Sequence, residues 1–266
     1  MPALHAELAD WIAHAPQAVN RVGGFLSERE IRFLALLGGS RLADGEVLEI
    51  GSFQGKSTIV LGKAAKLAGD RRISAVDPLD SQYHLDRARS QGFRTPRDLF
   101  EHNLSKTGLL DFVNFHQMYS QELGKTWKAP LRLLWIDGDH SYRGTISDFE
   151  TFSPFLSDGA IVAFHDTINA FEGSLRVFME NVLLSPHFGP AGLNGTIGWA
   201  RYFEDAARTR PYRSDKVKLY GRLSRLVPYV ALDSLPSGWS RATFRFHRWR
   251  VPHRDLAPEK WLKQVA

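Results

Sequence analysis

Between residues 46 and 203 the chain alternates short apolar runs with stretches of helical spacing. The runs fall at residues 47–50, 73–76, 112–115, 131–136 and 160–164. Each is followed by turn residues and then by positions that repeat at helical spacing, which predicts helices over 57–67, 83–91 with a second piece over 96–105, 120–126, 142–155 and 171–184. Short β-rich runs alternating with helices imply βαβ units and a parallel sheet covered on both faces. Two more runs, near 188–193 and 196–203, lie close together around Asn194-Gly195 and predict an antiparallel hairpin that closes one sheet edge. The expected core is a doubly wound α/β sheet of about seven strands, mostly parallel.

The flanks follow other rules. Residues 1–45 read as helical, with Leu4, Leu8, Trp11 and Ile12 on one face. A capping-box pattern from Ser27 to Glu30 opens a second helix that Gly38 and Gly39 end. After Phe203 the pattern changes again. Val217, Tyr220, Leu223 and Val227 recur at helical spacing opposite Lys218, Arg222 and Arg225, and residues 244–250 alternate an aromatic or His with Arg. The expected organisation is an N-terminal helical segment (1–45), an α/β domain (46–204) and a C-terminal extension (205–266).

Charge separates these parts. The net charge is +5, yet Lys+Arg against Asp+Glu is 20 against 24 for residues 1–204 and 14 against 5 for residues 205–266, so the body carries −4 and the extension +9. With Trp239, Phe244, Phe246, Trp249 and Trp261 among those cations, the extension suits an anionic membrane surface or an acidic partner. Rings interleaved with Arg also stack on nucleic acid. Docking on the body or on a second subunit is the favoured reading, because aromatics need burial and the body has the complementary charge. Nucleic acid is therefore not expected as a partner, while a membrane surface and a homo-oligomer stay open. The absence of cysteine excludes disulfides, thiolate metal sites and a Cys nucleophile. No leader-like N-terminus and no apolar run near ~20 residues is present, so a cytoplasmic protein is expected.

The chemistry gathers at residues 47–58, V-L-E-I-G-S-F-Q-G-K-S-T, which read as a strand, a tight turn and a helix in succession. Such a turn lies at the carboxyl edge of its strand, where backbone N–H groups and a helix N-terminus face a ligand. A phosphate-binding loop needs G-x-x-x-x-G-K-[ST]; Gly51 is one residue too close to Gly55, and Ile50 holds the required glycine position. A dinucleotide fold needs G-x-G-x-x-G, and Phe53 takes the place of the second glycine. Glu49 beside the turn would repel phosphate in either case. A cationic, phosphate-free nucleoside fits better. Glu49, the turn Gly51, Ser52, Phe53 and Gly55, and Asp77 at the next strand end suit S-adenosylmethionine, whose sulfonium and ammonium tolerate carboxylates and whose ribose diol takes a bidentate acid. The bland alternative is a pair of turn glycines in an unspecialised α/β protein.

With L-L-W-I-D-G-D-H-S-Y and G-A-I-V-A-F-H-D-T following it, the glycine block resembles the class I S-adenosylmethionine-dependent methyltransferases. More narrowly it is similar to the metal-dependent macrolide sugar O-methyltransferases and the cephalosporin-biosynthesis methyltransferase-like proteins. The resemblance covers about residues 46–203 and implies a Rossmann-like fold and O-methylation of a small-molecule hydroxyl. Asp137 ends the fourth strand and His165-Asp166 the fifth. Strand ends about 5 Å apart let these three converge, an arrangement suited to Mg²⁺ or Mn²⁺. The resembled family carries acids where His165 stands, so Asp137 and Asp166 rank first as ligands. By the same resemblance His140 matches the general base, and Met118 and Tyr119 fall where the adenine is received. Asp139 and Ser141 read as helix N-caps. The rival to an enzyme is a non-catalytic module of the same fold that binds through its extension.

Overall fold

The computed structural model describes residues 6–231, 236–253 and 257–265; Leu4 lies outside them. Two helices lead in, α1 (Ala6–Ala18) and α2 (Glu28–Gly39). The sheet is then built in chain order from β1 (Glu46–Ile50), α3 (Lys56–Leu67), β2 (Ile73–Val76), α4 (Gln82–Ser90), α5 (Pro96–Lys106), β3 (Val113–His116) and α6 (Ser120–Gly124). It continues with β4 (Leu131–Ile136), α7 (Tyr142–Phe152), β5 (Leu156–Phe164), α8 (Glu172–Val177), β6 (Phe188–Asn194) and β7 (Ile197–Tyr202). A π-helical stretch, Phe178–Leu183, prolongs α8. The extension forms α9 (Arg213–Leu223), α10 (Val227–Val230), α11 (Gly238–Arg250) and α12 (Pro258–Val265).

The seven strands lie in the order β3-β2-β1-β4-β5-β7-β6, all running one way except β7, which is antiparallel to both of its neighbours, β5 and β6. This is a Rossmann-like methyltransferase fold. The chain builds outward from β1 to β3, then returns to the other side of β1 with β4, so the order reverses between β1 and β4. In a doubly wound sheet a ligand crevice opens at that reversal, beyond the carboxyl ends of the strands. Alternate residues face opposite layers. Val47, Leu133, Trp135, Ile161 and Ala163 pack under α1, α2 and α3, while Leu48, Leu134, Ile136, Val162 and Phe164 pack under α7, α8 and α9.

Several expectations change in detail. Gly38 and Gly39 do not supply a left-handed cap, since α2 ends on Ser40 in extended conformation. They permit close packing: a Cβ on Gly39 would stand 2.4 Å from the Leu8 side chain, and one on Gly38 3.1 Å from the Leu61 carbonyl. The hairpin turn is Gly195-Thr196, with Asn194 still paired to Ile197. On α9 the buried face is Lys216, Leu219 and Leu223, and Val217 is exposed. The stem of Lys216 covers apolar surface while its ammonium donates to the Ser185 carbonyl at 2.6 Å, so the lysine takes the place expected for the valine. The chain leaves α9 after Leu223, which puts Val227 in a separate helix.

The extension packs on the body. Leu219, Leu223, Phe244 and Val251 join the β5–α8 layer, and Trp261 and Val265 join the other. Its aromatics divide: Phe244 and Trp261 are buried, whereas Trp239, Phe246 and Trp249 stay exposed. Among the described residues no helix is long and apolar enough to cross a membrane.

Candidate active site

The turn after β1 is shaped by what lies beneath it. Gly51 has φ +88°, and a Cβ there would meet the Asp137 carbonyl oxygen at 2.1 Å, so only glycine lets the ends of β1 and β4 approach. Gly55, at φ +87°, caps α3. Between them Phe53 holds φ +46° without being glycine. Leu79 after β2 and Asp166 after β5 also adopt positive φ, at +52° and +57°. All three sit at the carboxyl edge of the sheet. Left-handed backbone in an L residue is costly and collects where a ligand site over-determines it.

Asp77 holds this edge together. One carboxylate oxygen accepts from the Ser52 and Phe53 amides at 2.8 and 2.9 Å, and the other accepts from Leu79 at 2.8 Å. Asp77 therefore braces the glycine turn and lines the cleft above it. Glu49 behaves differently from expectation. It is fully buried beneath the turn, bonded by the Thr58 and Ser52 hydroxyls, and is not part of the cleft wall. Burial, reinforced by repulsion from Asp137 and Asp77, pushes its carboxyl up to about 8. At neutral pH Glu49 is a buried neutral acid, so it offers the cleft no charge.

The cleft over the sheet reversal measures about 890 Å³. Phe25, Phe53 and Tyr83 form a ring stack on its wall, with centroids 6.3 and 5.6 Å apart and planes within 16°. After β3, Tyr119, Ser120 and Gln121 face the cleft, whereas Met118 is not among the lining residues. The Tyr119 hydroxyl donates to Asp80 at 2.6 Å. Ser120 and Gln121 both donate to Asp148, a buried α7 residue whose carboxyl is pushed by burial up to about 6. Asp148 carried no motif signal; only the fold brings α7 beside the loop after β3. Lys56, in the first turn of α3, is a cation of the cleft lining, as is Arg143, and its ammonium donates to the Gly24 carbonyl at 3.4 Å.

The ends of β4 and β5 do converge. His165 Nδ1 lies 3.0 Å from Asp137 Oδ1 and 3.5 Å from Asp166 Oδ1. Its Nε2 faces Glu30 at 3.9 Å, an ion-pair contact beyond hydrogen-bond reach. Burial opposes a charge on the ring, yet Asp137, Glu30 and Asp166 hold its pKa well above the ordinary histidine value. Glu30 was legible only as a capping residue. It does cap α2, accepting from Ser27, but its other oxygen accepts from the Thr196 amide and hydroxyl at 2.7 and 2.6 Å. These bonds and His165 outweigh the cost of burial and keep Glu30 well below the usual carboxylate range.

This arrangement differs from the metal set expected of Asp137, Asp166 and His165. The imidazole N–H already stands between the two aspartates, Asp166 also accepts from Asn169, and among the described residues no three His, Asp or Glu groups form a metal-holding cluster. The three residues do not fit an Mg²⁺ or Mn²⁺ ion as placed. His140 does stand on the cleft wall. Its Nε2 is 3.6 Å from Asp166 Oδ2, and its ring stacks on Phe171 at 4.7 Å. Gly173 donates its amide to the His140 carbonyl at 2.9 Å, and any side chain there would collide with that loop. Asp139 bonds the Ser141 amide and Ser141 caps α7, which leaves His140 as the polar side chain of the segment free for chemistry.

Residues 48–167 match the family described as a methyltransferase domain. Among solved structures, the O-methyltransferase NovP superposes with a TM-score of 0.58 at 14% identity, covering 74% of this chain and 98% of that one. Rv0187 from MTB, a cofactor-bound structure, gives 0.52 at 20% identity over 76% and 91%. An O-methyltransferase from Bacillus cereus in complex with SAH gives 0.50 at 18% identity over 74% and 91%.

Proposed function

We propose that this protein binds S-adenosylmethionine in the cleft and methylates a small-molecule hydroxyl, a reading supported by the match of residues 48–167 to a methyltransferase-domain family. The observation that carries the reading is His140 on the wall of the same cleft as the Asp77-braced turn, 3.6 Å from Asp166. S-adenosylmethionine supplies a methyl carbon on a sulfonium; its bond to sulfur breaks as the acceptor oxygen bonds to carbon, and sulfur keeps the electron pair. The residues present suit such a ligand. Asp77 and Asp137 tolerate a sulfonium, the turn offers no phosphate cradle, and Lys56 beside the α3 N-terminus offers a cation to a carboxylate.

His140 takes the acceptor's proton at Nε2, and Asp166 stabilises the imidazolium that forms. Asp137 and the ion-paired His165 hold a fixed polar wall beside the reacting centre. A sugar or natural-product hydroxyl is the acceptor class that the resemblance supports.

Calorimetric titration with S-adenosylhomocysteine tests the cofactor, and the absence of binding at high micromolar ligand overturns the reading. His140→Ala is expected to keep that binding and lose about 10²- to 10⁴-fold in turnover. Turnover in EDTA is expected to match turnover in added Mg²⁺. A loss that Mg²⁺ restores would return Asp137 and Asp166 to the role of metal ligands.

A further inference from the structure

Helix α11, G-W-S-R-A-T-F-R-F-H-R-W-R, carries four arginines and no acid. It is anchored by Phe244, buried and edge-on to Tyr229 with centroids 6.2 Å apart. At about 100° per residue, Trp239, Phe246 and Trp249 fall within an arc of roughly 80° on the side away from Phe244. Their exposures of 90%, 51% and 72% leave three large rings in water on one helix face. Exposed Arg241 and Arg245 border that arc on one side, and exposed Arg250 borders it on the other. Beside the helix a cleft of about 310 Å³ is lined by Lys218, Arg222, Arg225, Arg250 and His247.

A contiguous apolar patch of this kind marks a contact surface. Rings projecting from a helix, flanked on both sides by arginines and set beside a cationic cleft, match an interfacial helix lying in the plane of an anionic bilayer. The rings would enter the headgroup layer while the cations meet lipid phosphates. A nucleic-acid duplex would engage the arginines but leave the aromatic ridge in water. Single strands stack on rings that line a groove, whereas these protrude. The charge of the extension, +9 against −4 for the body, orients the molecule the same way round.

We propose that α11 is a docking helix for anionic lipid, and that it presents the catalytic end of the cleft to the bilayer. The second part rests on the methyl-transfer reading. Its observation is the chain just past α11: the His253 carbonyl accepts from the Gly195 amide at 3.2 Å, and the next residue, Thr196, donates to Glu30, which faces His165. The helix that would lie on the lipid is thus tied to the acid behind His165, and the acceptor hydroxyl would be carried on a lipid or at its surface.

The test is cosedimentation of the intact protein with vesicles of phosphatidylcholine alone and of phosphatidylcholine mixed with phosphatidylglycerol. Retention on the anionic vesicles is expected, falling as salt rises. It should weaken at least about tenfold in Trp239→Ala/Phe246→Ala/Trp249→Ala and in Arg245→Glu/Arg250→Glu. Both sets of positions are exposed, so melting temperature and S-adenosylhomocysteine binding should match the unsubstituted protein. Equal retention of the triple variant, no retention on anionic vesicles, or tighter binding to DNA than to vesicles would overturn the proposal. So would a dimer that the triple substitution dissociates while vesicles are ignored. Cofactor binding measured on the same samples separates failure of docking from failure of the methyl-transfer reading.

Discussion

Among individual residues, the acids near the glycine turn show how burial changes what a carboxylate does. Asp77 is surrounded by backbone donors and braces the turn, while Glu49, four residues before Phe53, has Oε1 buried without a partner and stays neutral. A pH effect follows. The folded pKa of Glu49, about 8, lies above the ordinary 4.5, so the unfolded chain ionises first as pH rises. Its contribution to stability is complete below pH 4.5, shrinks between 4.5 and 8, and is gone above 8. Asp148 acts in the same direction between 3.8 and about 6. Glu49→Gln removes the ionisation and keeps the shape. Urea unfolding at pH 5 and pH 8.5 should show a smaller loss of stability for Glu49→Gln than for the unsubstituted protein; an equal loss would mean Glu49 is not the group responsible.

At the level of secondary-structure elements, the site depends on strand ends held in register, and Arg132 does much of the holding. It sits inside the apolar run of β4, where its side chain is 1% exposed. The guanidinium pairs with Asp70 between α3 and β2, and donates to the carbonyls of Ser40 and Gly38 at 3.0 and 2.7 Å. One side chain thus ties the end of α2, the α3–β2 loop and the strand that delivers Asp137. Removing one partner of a buried pair leaves the other charge and two carbonyls unsatisfied in a dry place. Arg132→Leu is expected to cost about 3–5 kcal/mol in chemical denaturation. A change below about 1 kcal/mol would mean that water replaces the guanidinium there. The Gly195-Thr196 turn is tied down similarly, by Glu30 of α2, which couples the sheet edge to the histidine between β4 and β5.

For the molecule as a whole, the extension is part of the structural core at both of its ends. Trp261 of α12 is fully buried, edge-on to Phe33 and Trp199 at 5.7 and 5.6 Å. Arg201 of β7 donates to the Val265 carbonyl. Trp261→Ala should therefore lower the stability of the entire body by about 3–5 kcal/mol. Circular dichroism and tryptophan fluorescence should still report one coincident transition. A separate early transition, with the rest unfolding at its original midpoint, would mark the extension as an independent unit. The outer face of α11 stands outside this packing, which is why its rings remain available to another surface.

Local information sufficed for much of this. The 2.0 and 3.6 residue periods, the Gly51–Gly55 turn and the two acid-bearing strand ends were legible from neighbours in the chain, because periodicity and turn chemistry act over a few residues. The strand positions of residues 47–50, 73–76 and 131–136, and the edge hairpin, needed nothing more. What tertiary contact alone decided was the state of each group. Glu49 and Asp77 are both acids beside the turn, yet one is desolvated and neutral while the other is ringed by amides. His165 read as a possible metal ligand, and it became the centre of an ion-pair cluster only once Glu30, 135 positions earlier in the chain, was packed behind it. Lys216 replaced Val217 on the buried face of α9 because a carbonyl at Ser185 awaited its ammonium. Charge and solvation are set by every atom within several ångströms, and most of those atoms are distant in sequence.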